Sequence, residues 1–272
     1  MADEVASHYG GAGDLAGAIA DRLRQAGKDM DRLTTADLAS VDEFHIRGRK
    51  ATLELAASLN LDGNSRVLDI GSGLGGPART LAETFFCHVT GIDLTQAFCD
   101  AATAMSGWVG LADRVDFRQG DATSLPFDDH AFDAAMTMHV AMNIAAKDRM
   151  YAEARRVLKP GGRFVAYDVL QGEGGEVIYP VPWAREPSIS HLATPDAMAS
   201  LLRDAGFRIV ATEDSTEASQ RWFEDMAARM AGSGPAVTFQ TFLGADFATM
   251  ARNQVANLRD RRIRTVSYVC EA

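Results

Sequence analysis

The sequence predicts an α/β fold built on a largely parallel sheet, and three observations predict it. From Arg66 onward, short apolar runs alternate with helical stretches of about a dozen residues. The apolar runs are unbroken, as expected of strands buried on both faces. The first of them, RVLDI, opens straight into a glycine-rich turn and a helix.

Taken in order, residues 14–61 read as helical, with apolar residues at Leu15, Ile19 and Leu23 and again at Leu53, Leu55 and Leu59. Thr35 resembles a helix N-cap. Strands are expected at 66–70, 88–92, 114–118, 131–137 and 163–169. The helices between them fall at 77–85, 95–105 and 147–158, the last stopped by Pro160-Gly161-Gly162. A helix over 195–205 ends at Gly206 and feeds the strand FRIVATED. Two segments break the alternation. Residues 170–194 are rich in Gly and Pro, and 216–262 read as two amphipathic helices before a last strand, RTVSYVCEA. Both are expected to pack over one end of the sheet as insertions, with Tyr179, Trp183 and Trp222 favouring packing over disorder.

The chain of 272 residues suits one large domain or a domain with a small cap. No apolar run approaches the roughly 20 residues that span a bilayer, so no membrane span is expected. Lys plus Arg number 27 against 37 Asp plus Glu, a net charge of −10, which is the wrong sign for a nucleic-acid binder. Cys87, Cys99 and Cys270 form no CxxC pair, and MADEVASHYGG lacks the basic flank and apolar core of a leader, so a reduced, cytoplasmic protein is expected. The histidines show no ligand spacing, and no metal site is expected.

The sharpest signal is VLDIGSGLGGPARTLA: a strand carrying Asp69, then Gly71, Gly73, Gly75 and Gly76, then a helix opened by Pro77. Glycines let the backbone turn tightly and approach a ligand without a Cβ in the way. As a bare pattern the loop also spells the GxGxxG of dinucleotide binders. Asp69 argues against that reading, because a carboxylate beside the loop attracts an ammonium and repels a pyrophosphate. Asp93, ending the strand HVTGID, can accept hydrogen bonds from ribose hydroxyls and is neutral between the two readings. Asp121 stands at the tip of FRQGDATSLPF. Each residue also has a plain structural role open to it: a tight turn for the glycines, a helix cap for Asp93, a turn for Asp121.

Together with YAEARRVLKPGGRFVAY between the fourth and fifth strands, these motifs resemble the class I S-adenosylmethionine-dependent methyltransferases. The likeness is to the small-molecule branch that includes ubiquinone-type and sarcosine/dimethylglycine enzymes, over about residues 41–215. The resemblance implies a Rossmann-like sheet of seven strands with helices on both faces, the last strand antiparallel beside the fifth. It implies S-adenosylmethionine as cofactor, with Asp69, Gly71, Ser72 and Gly73 at its methionine part and Asp93 at the ribose. Leu94 would lie on the adenine, with Asp121 and Ala122 at its amino edge. It further implies a helical lid over 1–60, contributing Tyr9 and His45, on a cofactor-binding core over 61–215 that carries the insertion at 170–194. A helical cap over 216–262 and a last core strand over 263–272 complete the expected organisation.

The end of the fourth strand, MTMHVAMNI, belongs at the carboxyl edge of the sheet, where open α/β folds bind ligands. His139 there is the candidate base, and Asp168, at the end of the fifth strand, its orienting or substrate-binding partner. A packed core histidine and a loop cap are the plain alternatives. Asn143, Trp183 and Trp222 are candidates for the acceptor pocket. The acceptor is expected to be a small molecule, with an amine slightly favoured over oxygen or carbon. An NAD-dependent oxidoreductase and a non-catalytic cofactor-binding module remain as the alternatives.

Overall fold

A computed structural model of the protein describes residues 14–230 and 246–272. Seven strands form one open sheet: β1 (Arg66–Ile70), β2 (His88–Asp93), β3 (Val115–Gln119), β4 (Phe132–Met138), β5 (Leu158–Gln171), β6 (Arg208–Asp214) and β7 (Ile263–Glu271), in the order β3-β2-β1-β4-β5-β7-β6. β1 to β5 run parallel, and β7 lies antiparallel between β5 and β6. The chain therefore moves outward through β2 and β3, then returns past β1 to start β4. That reversal leaves a crevice at the carboxyl ends of β1 and β4.

The helices are α1 (Leu15–Gln25), α2 (Thr35–Asp42), α3 (Gly48–Ala56), α4 (Gly76–Phe85), α5 (Gln96–Trp108), α6 (Lys147–Val157), α7 (Pro195–Asp204), α8 (Thr216–Met230) and α9 (Phe247–Arg259). They cover both faces of the sheet. Alternate β1 side chains divide between the faces, with Leu68 and Ile70 joining Met150, Tyr151 and Val157 of α6 on one side. On the other, Val67 joins Leu55 of α3 and Ala78, Leu81 and Ala82 of α4. Burial of such aliphatic side chains, each contributing about 1.5–3 kcal/mol, is what holds the helices to the sheet. A third apolar cluster packs Ile19 and Leu23 of α1 and Leu38 and Val41 of α2 on Leu74, Phe98 and Met105, setting the N-terminal helices beside the glycine loop.

The structure moves several local expectations. Thr34, not Thr35, caps α2: its hydroxyl receives the Asp37 amide, and the Asp37 carboxylate receives the Thr34 amide in return. The Thr35 hydroxyl instead donates to Glu83 at 2.7 Å. Pro160-Gly161-Gly162 lies inside β5 instead of in a loop, because Gly161 (φ +77°) lets the strand kink while its amide bonds Ala272. The 170–194 segment is tied to α9 by hydrogen bonds between Ile178 and the Asn257 side chain and from Asn253 to the Pro180 carbonyl.

Candidate active site

A cavity of about 340 Å³ opens at the carboxyl ends of β1, β2 and β4. It brings together ten of the residues singled out from sequence: His45, Gly71, Ser72, Gly73, Asp93, Leu94, Asp121, Ala122, His139 and Asn143.

The glycine loop that floors it is built for close approach. Gly71 has φ +77°, and a Cβ there would lie 2.3 Å from the Val140 side chain. At Gly73, also at positive φ, a Cβ would meet nothing within 4 Å, so the backbone faces open space. The loop amides are already bonded within the protein: Gly71 and Ser72 donate to the Ile92 carbonyl at 2.7 and 3.0 Å, Gly73 to Asp93 Oδ2 at 2.8 Å, and Gly75 to the Ser72 carbonyl at 2.8 Å. A pyrophosphate is held by loop amides that point at it. Here four of those amides are turned to β2 and to the loop itself.

The charge of the site points the same way. Asp69 is 2% exposed and lies behind the loop, outside the cavity lining, with its Oδ2 buried and unpartnered. Burial, reinforced by the nearby Glu43 and Asp93 charges, pushes its carboxyl up to about 8. Asp93 is also raised by burial, although amides of Thr95 and Gly73 bond its carboxylate. Asp93 thus holds the loop and opens α5 while facing the cavity. Asp121 makes a turn, accepting the Thr123 amide and hydroxyl, both at 2.8 Å, and presents that turn to the far end of the cavity with Leu94 and Ala122.

Sequence reasoning missed Asp42 and Glu43. Asp42 lines the cavity and pairs with fully buried Arg79 at 2.7 Å. Glu43 is 1% exposed and accepts from the Thr52 and Thr80 hydroxyls at 2.7 Å each. The only sequence signal was two acids beside His45, and nothing in the spacing relates Asp42 to an arginine on α4. His45 is buried with Nε2 3.0 Å from the Gly48 carbonyl, and burial lowers its imidazole to about 4. The lid candidate Tyr9 falls outside the described residues.

His139 follows β4 with φ 57°, its amide bonded to the Tyr167 carbonyl at 2.7 Å. Its ring lies 4.8 Å from that of Tyr167 and 6.1 Å from that of His45, and its Nε2 is buried without a partner. Burial, with His45 close by, holds the imidazole well below its usual range, so it is neutral at pH 7. Asp168 does not orient it. The Asp168 oxygens receive the backbone amides of Ala141 at 2.7 Å and Val169 at 2.9 Å, fixing the turn after His139. The buried Asp168 carboxyl is pushed up to about 7.

Asn143 spends its amide on the chain as well, donating to the carbonyls of Trp183 and Ile189 at 2.8 Å each. Trp183 and Trp222 do not line the cavity. They sit in an adjoining apolar cluster with Ile46, Met142, Val169 and Phe223, where Trp183 is 1% exposed and bonds Ser190.

Comparison with known proteins agrees with this geometry. Residues 68–166 match the methyltransferase domain family. The chain therefore carries a methyltransferase domain over this stretch and resembles the class I S-adenosylmethionine-dependent methyltransferases. It is 30% identical over 206 residues to a sterol 24-C-methyltransferase of Neurospora crassa, across 73% of this chain and 52% of that one. It is 28% identical to a sarcosine/dimethylglycine N-methyltransferase of Halorhodospira halochloris, across 64% of this chain and 63% of that one. The crystal structure of the cyclase SpnF superposes with a TM-score of 0.65 at 30% identity, covering 82% of this chain and 80% of that one. The chain spans about half the length of the curated Neurospora sterol methyltransferase, and less of others. The seven-stranded order with an antiparallel β7 is the one the resemblance implied.

The methyltransferase cofactor fits these residues. S-adenosylmethionine carries an ammonium and a sulfonium, and the site offers buried, unpartnered acceptors at Asp69 Oδ2 and Ser72 Oγ together with open space over Gly73.

Proposed function

We propose that this chain transfers a methyl group from S-adenosylmethionine to a small molecule, with an amine as the favoured acceptor. The observation that carries the reading is a glycine loop whose amides are spent within the protein while carboxylate oxygens around it stand buried and unpartnered. Such a site suits a cationic, zwitterionic donor and suits a diphosphate poorly.

The bound cofactor supplies a methyl group on positively charged sulfur, already activated for displacement. The chain's own work is to hold, orient and exclude water. Asp69, Gly71, Ser72 and Gly73 hold the methionine part, Asp93 the ribose, and Leu94, Asp121 and Ala122 the adenine. His139 accepts the acceptor's proton at Nε2, the imidazole nitrogen that no protein group occupies. Asp168 holds the turn that follows His139. We read residues 1–60, with Tyr9 and His45, as a lid and 216–262 as a cap. Trp183 and Trp222 stiffen the acceptor wall from behind.

The names of the relatives include a carbon and a nitrogen methyltransferase. A neutral histidine beside an acidic floor supports nitrogen, since an ammonium must lose a proton before it can attack. The acidic composition and three buried, unpaired cysteines support a cytoplasmic protein with no nucleic-acid partner. Among the described residues, no helix is long and apolar enough to cross a membrane.

The test is incubation with isotope-labelled S-adenosylmethionine and a metabolite extract, followed by mass spectrometry for a product carrying the labelled methyl. The match to SpnF, a cyclase, favours one second reading: a cofactor-binding protein whose chemistry is not methyl transfer. Tight cofactor binding with no labelled product from amines, phenols, acids or the extract would select it.

A further inference from the structure

Asp42 is the last residue of α2, is 4% exposed, and belongs to the N-terminal helices instead of to any glycine-loop motif. It nonetheless lies directly on that loop. A Cβ built on Gly76 would sit 2.4 Å from the Asp42 carbonyl oxygen and 2.8 Å from Asp42 Oδ1. Its two carboxylate oxygens have different fates. Oδ2 receives Arg79 Nη2 at 2.7 Å, while Oδ1 is buried and has no partner.

Arg79 does not supply the second bond: its Nε is buried without a partner and makes no hydrogen bond to Oδ1. Its Nη1 is spent on the Ala102 carbonyl and Ser106 Oγ, both at 3.0 Å, and its Nη2 also donates to the Leu74 carbonyl. A buried carboxyl oxygen left without a partner is costly, and such a group in a native protein calls for a specific explanation, of which a ligand that completes it is one. Asp69 Oδ2 is in the same condition at the other end of the loop. Two unpartnered carboxylate oxygens, from separate elements, therefore bracket the stretch from Gly71 to Gly76 at the edge of the cavity that Asp42 lines.

We propose that Asp42 is a cofactor-binding residue whose Oδ1 accepts a hydrogen bond from the α-ammonium of the methyl donor, so that the N-terminal helices complete the methionine end of the site. The inference rests on the S-adenosylmethionine reading above and adds to it a residue outside the glycine-loop motif. Glu43 and His45, next in sequence, are not available for the role. Glu43 already receives two hydroxyls, and His45 Nε2 faces the Gly48 carbonyl.

The experiment is calorimetric binding of two ligands that differ at the methionine end: S-adenosylhomocysteine, which has the ammonium, and 5′-methylthioadenosine, which lacks the amino-acid part. In Asp42→Asn, affinity for S-adenosylhomocysteine should fall about tenfold to hundredfold, the range of one charge-assisted hydrogen bond, with 5′-methylthioadenosine bound as in the wild type. Equal loss of both ligands would mean that Asp42 only positions Arg79, and unchanged binding of both would likewise overturn the proposal. If Asp42→Asn does not fold, Asp69→Asn decides: with Asp42 then the remaining unpartnered carboxylate, the protein should still prefer S-adenosylhomocysteine over its desamino analogue, and loss of that preference would overturn the proposal. Wild-type protein that binds neither adenosyl ligand would remove the cofactor reading itself, a result distinct from any difference between variants.

Discussion

His139 holds a left-handed backbone conformation, φ 57°, that is uncommon outside glycine, although histidine, like asparagine and aspartate, adopts it more readily than most. Such strain persists only where the surroundings impose it, and it concentrates at functional positions. Here the Tyr167 carbonyl fixes the residue's amide and Asp168 fixes the turn that follows. The result presents a neutral ring to the cavity with one nitrogen unused. His139→Gln, which keeps a hydrogen-bonding side chain but cannot take up a proton, should lower turnover tenfold or more, in line with the roughly 10²–10⁴-fold that general bases contribute. Cofactor affinity by calorimetry should stay within about twofold; unchanged turnover would remove the base role. At this scale the sequence showed the cavity well where chemistry and local chain order coincide, as at Gly71, Gly73, Asp93 and His139. It showed Asp168 poorly, because a carboxylate at a strand end looks the same whether it faces a ligand or the backbone amides of a nearby turn. Asp42 was invisible for a related reason: its partner Arg79 is reached only by folding α2 onto α4.

At the scale of elements, the turn after β4 and the 170–194 segment behave as one piece. Asn143 donates to the carbonyls of Trp183 and Ile189, the His191 amide donates to the Met142 carbonyl at 2.7 Å, and Lys147 Nζ bridges the carbonyls of Ile144 and His191. Asn143, Ile144, Ala145 and Ala146 line the cavity, so the segment that carries Trp183 is stitched to the cavity wall. Asn143→Ala leaves two buried carbonyls short of a donor and should cost about 1–3 kcal/mol of stability by denaturant titration. Once an acceptor is known, KM for it should rise while the dissociation constant for S-adenosylhomocysteine stays near the wild-type value. Equal loss of both would mean that the stitching serves only the fold. The sequence foretold an insertion here from its Gly and Pro content. It gave no sign of the stitching, since these bonds run mostly to backbone carbonyls, which every residue carries.

The whole molecule places its ionisable groups in tension with its own stability. Burial pushes the carboxyls of Asp69 and Asp168 up to about 8 and about 7, and that of Asp42 to about 6. Each binds its proton more tightly folded than unfolded, so its stabilising contribution is full below about pH 4 and is lost as pH rises through the folded value. His45, held down at about 4, opposes this only up to its ordinary value of 6.5. Above pH 6.5 His45 no longer opposes the carboxyls. The ligand-free protein should therefore melt at lower temperature at pH 8 than at pH 6.5, Asp69→Asn should flatten that slope, and saturating S-adenosylhomocysteine should raise the melting temperature more at pH 8. A flat profile in the wild type would show that these carboxyls are not buried as described. Strand order belongs to this scale too, and it was legible only through family resemblance. Nothing local in RTVSYVCEA says that it slots between β5 and β6, because that pairing joins segments far apart along the chain.

The bonds from Gly71, Ser72 and Gly73 to the end of β2 carry one more consequence. A ligand arriving at this turn finds its shape already set by the sheet and has no ordering entropy to supply for it, so more of its contact energy survives as affinity. What the newcomer does adjust is electrical: it brings countercharge to oxygens that folding stranded, and the free protein stores that imbalance until it comes.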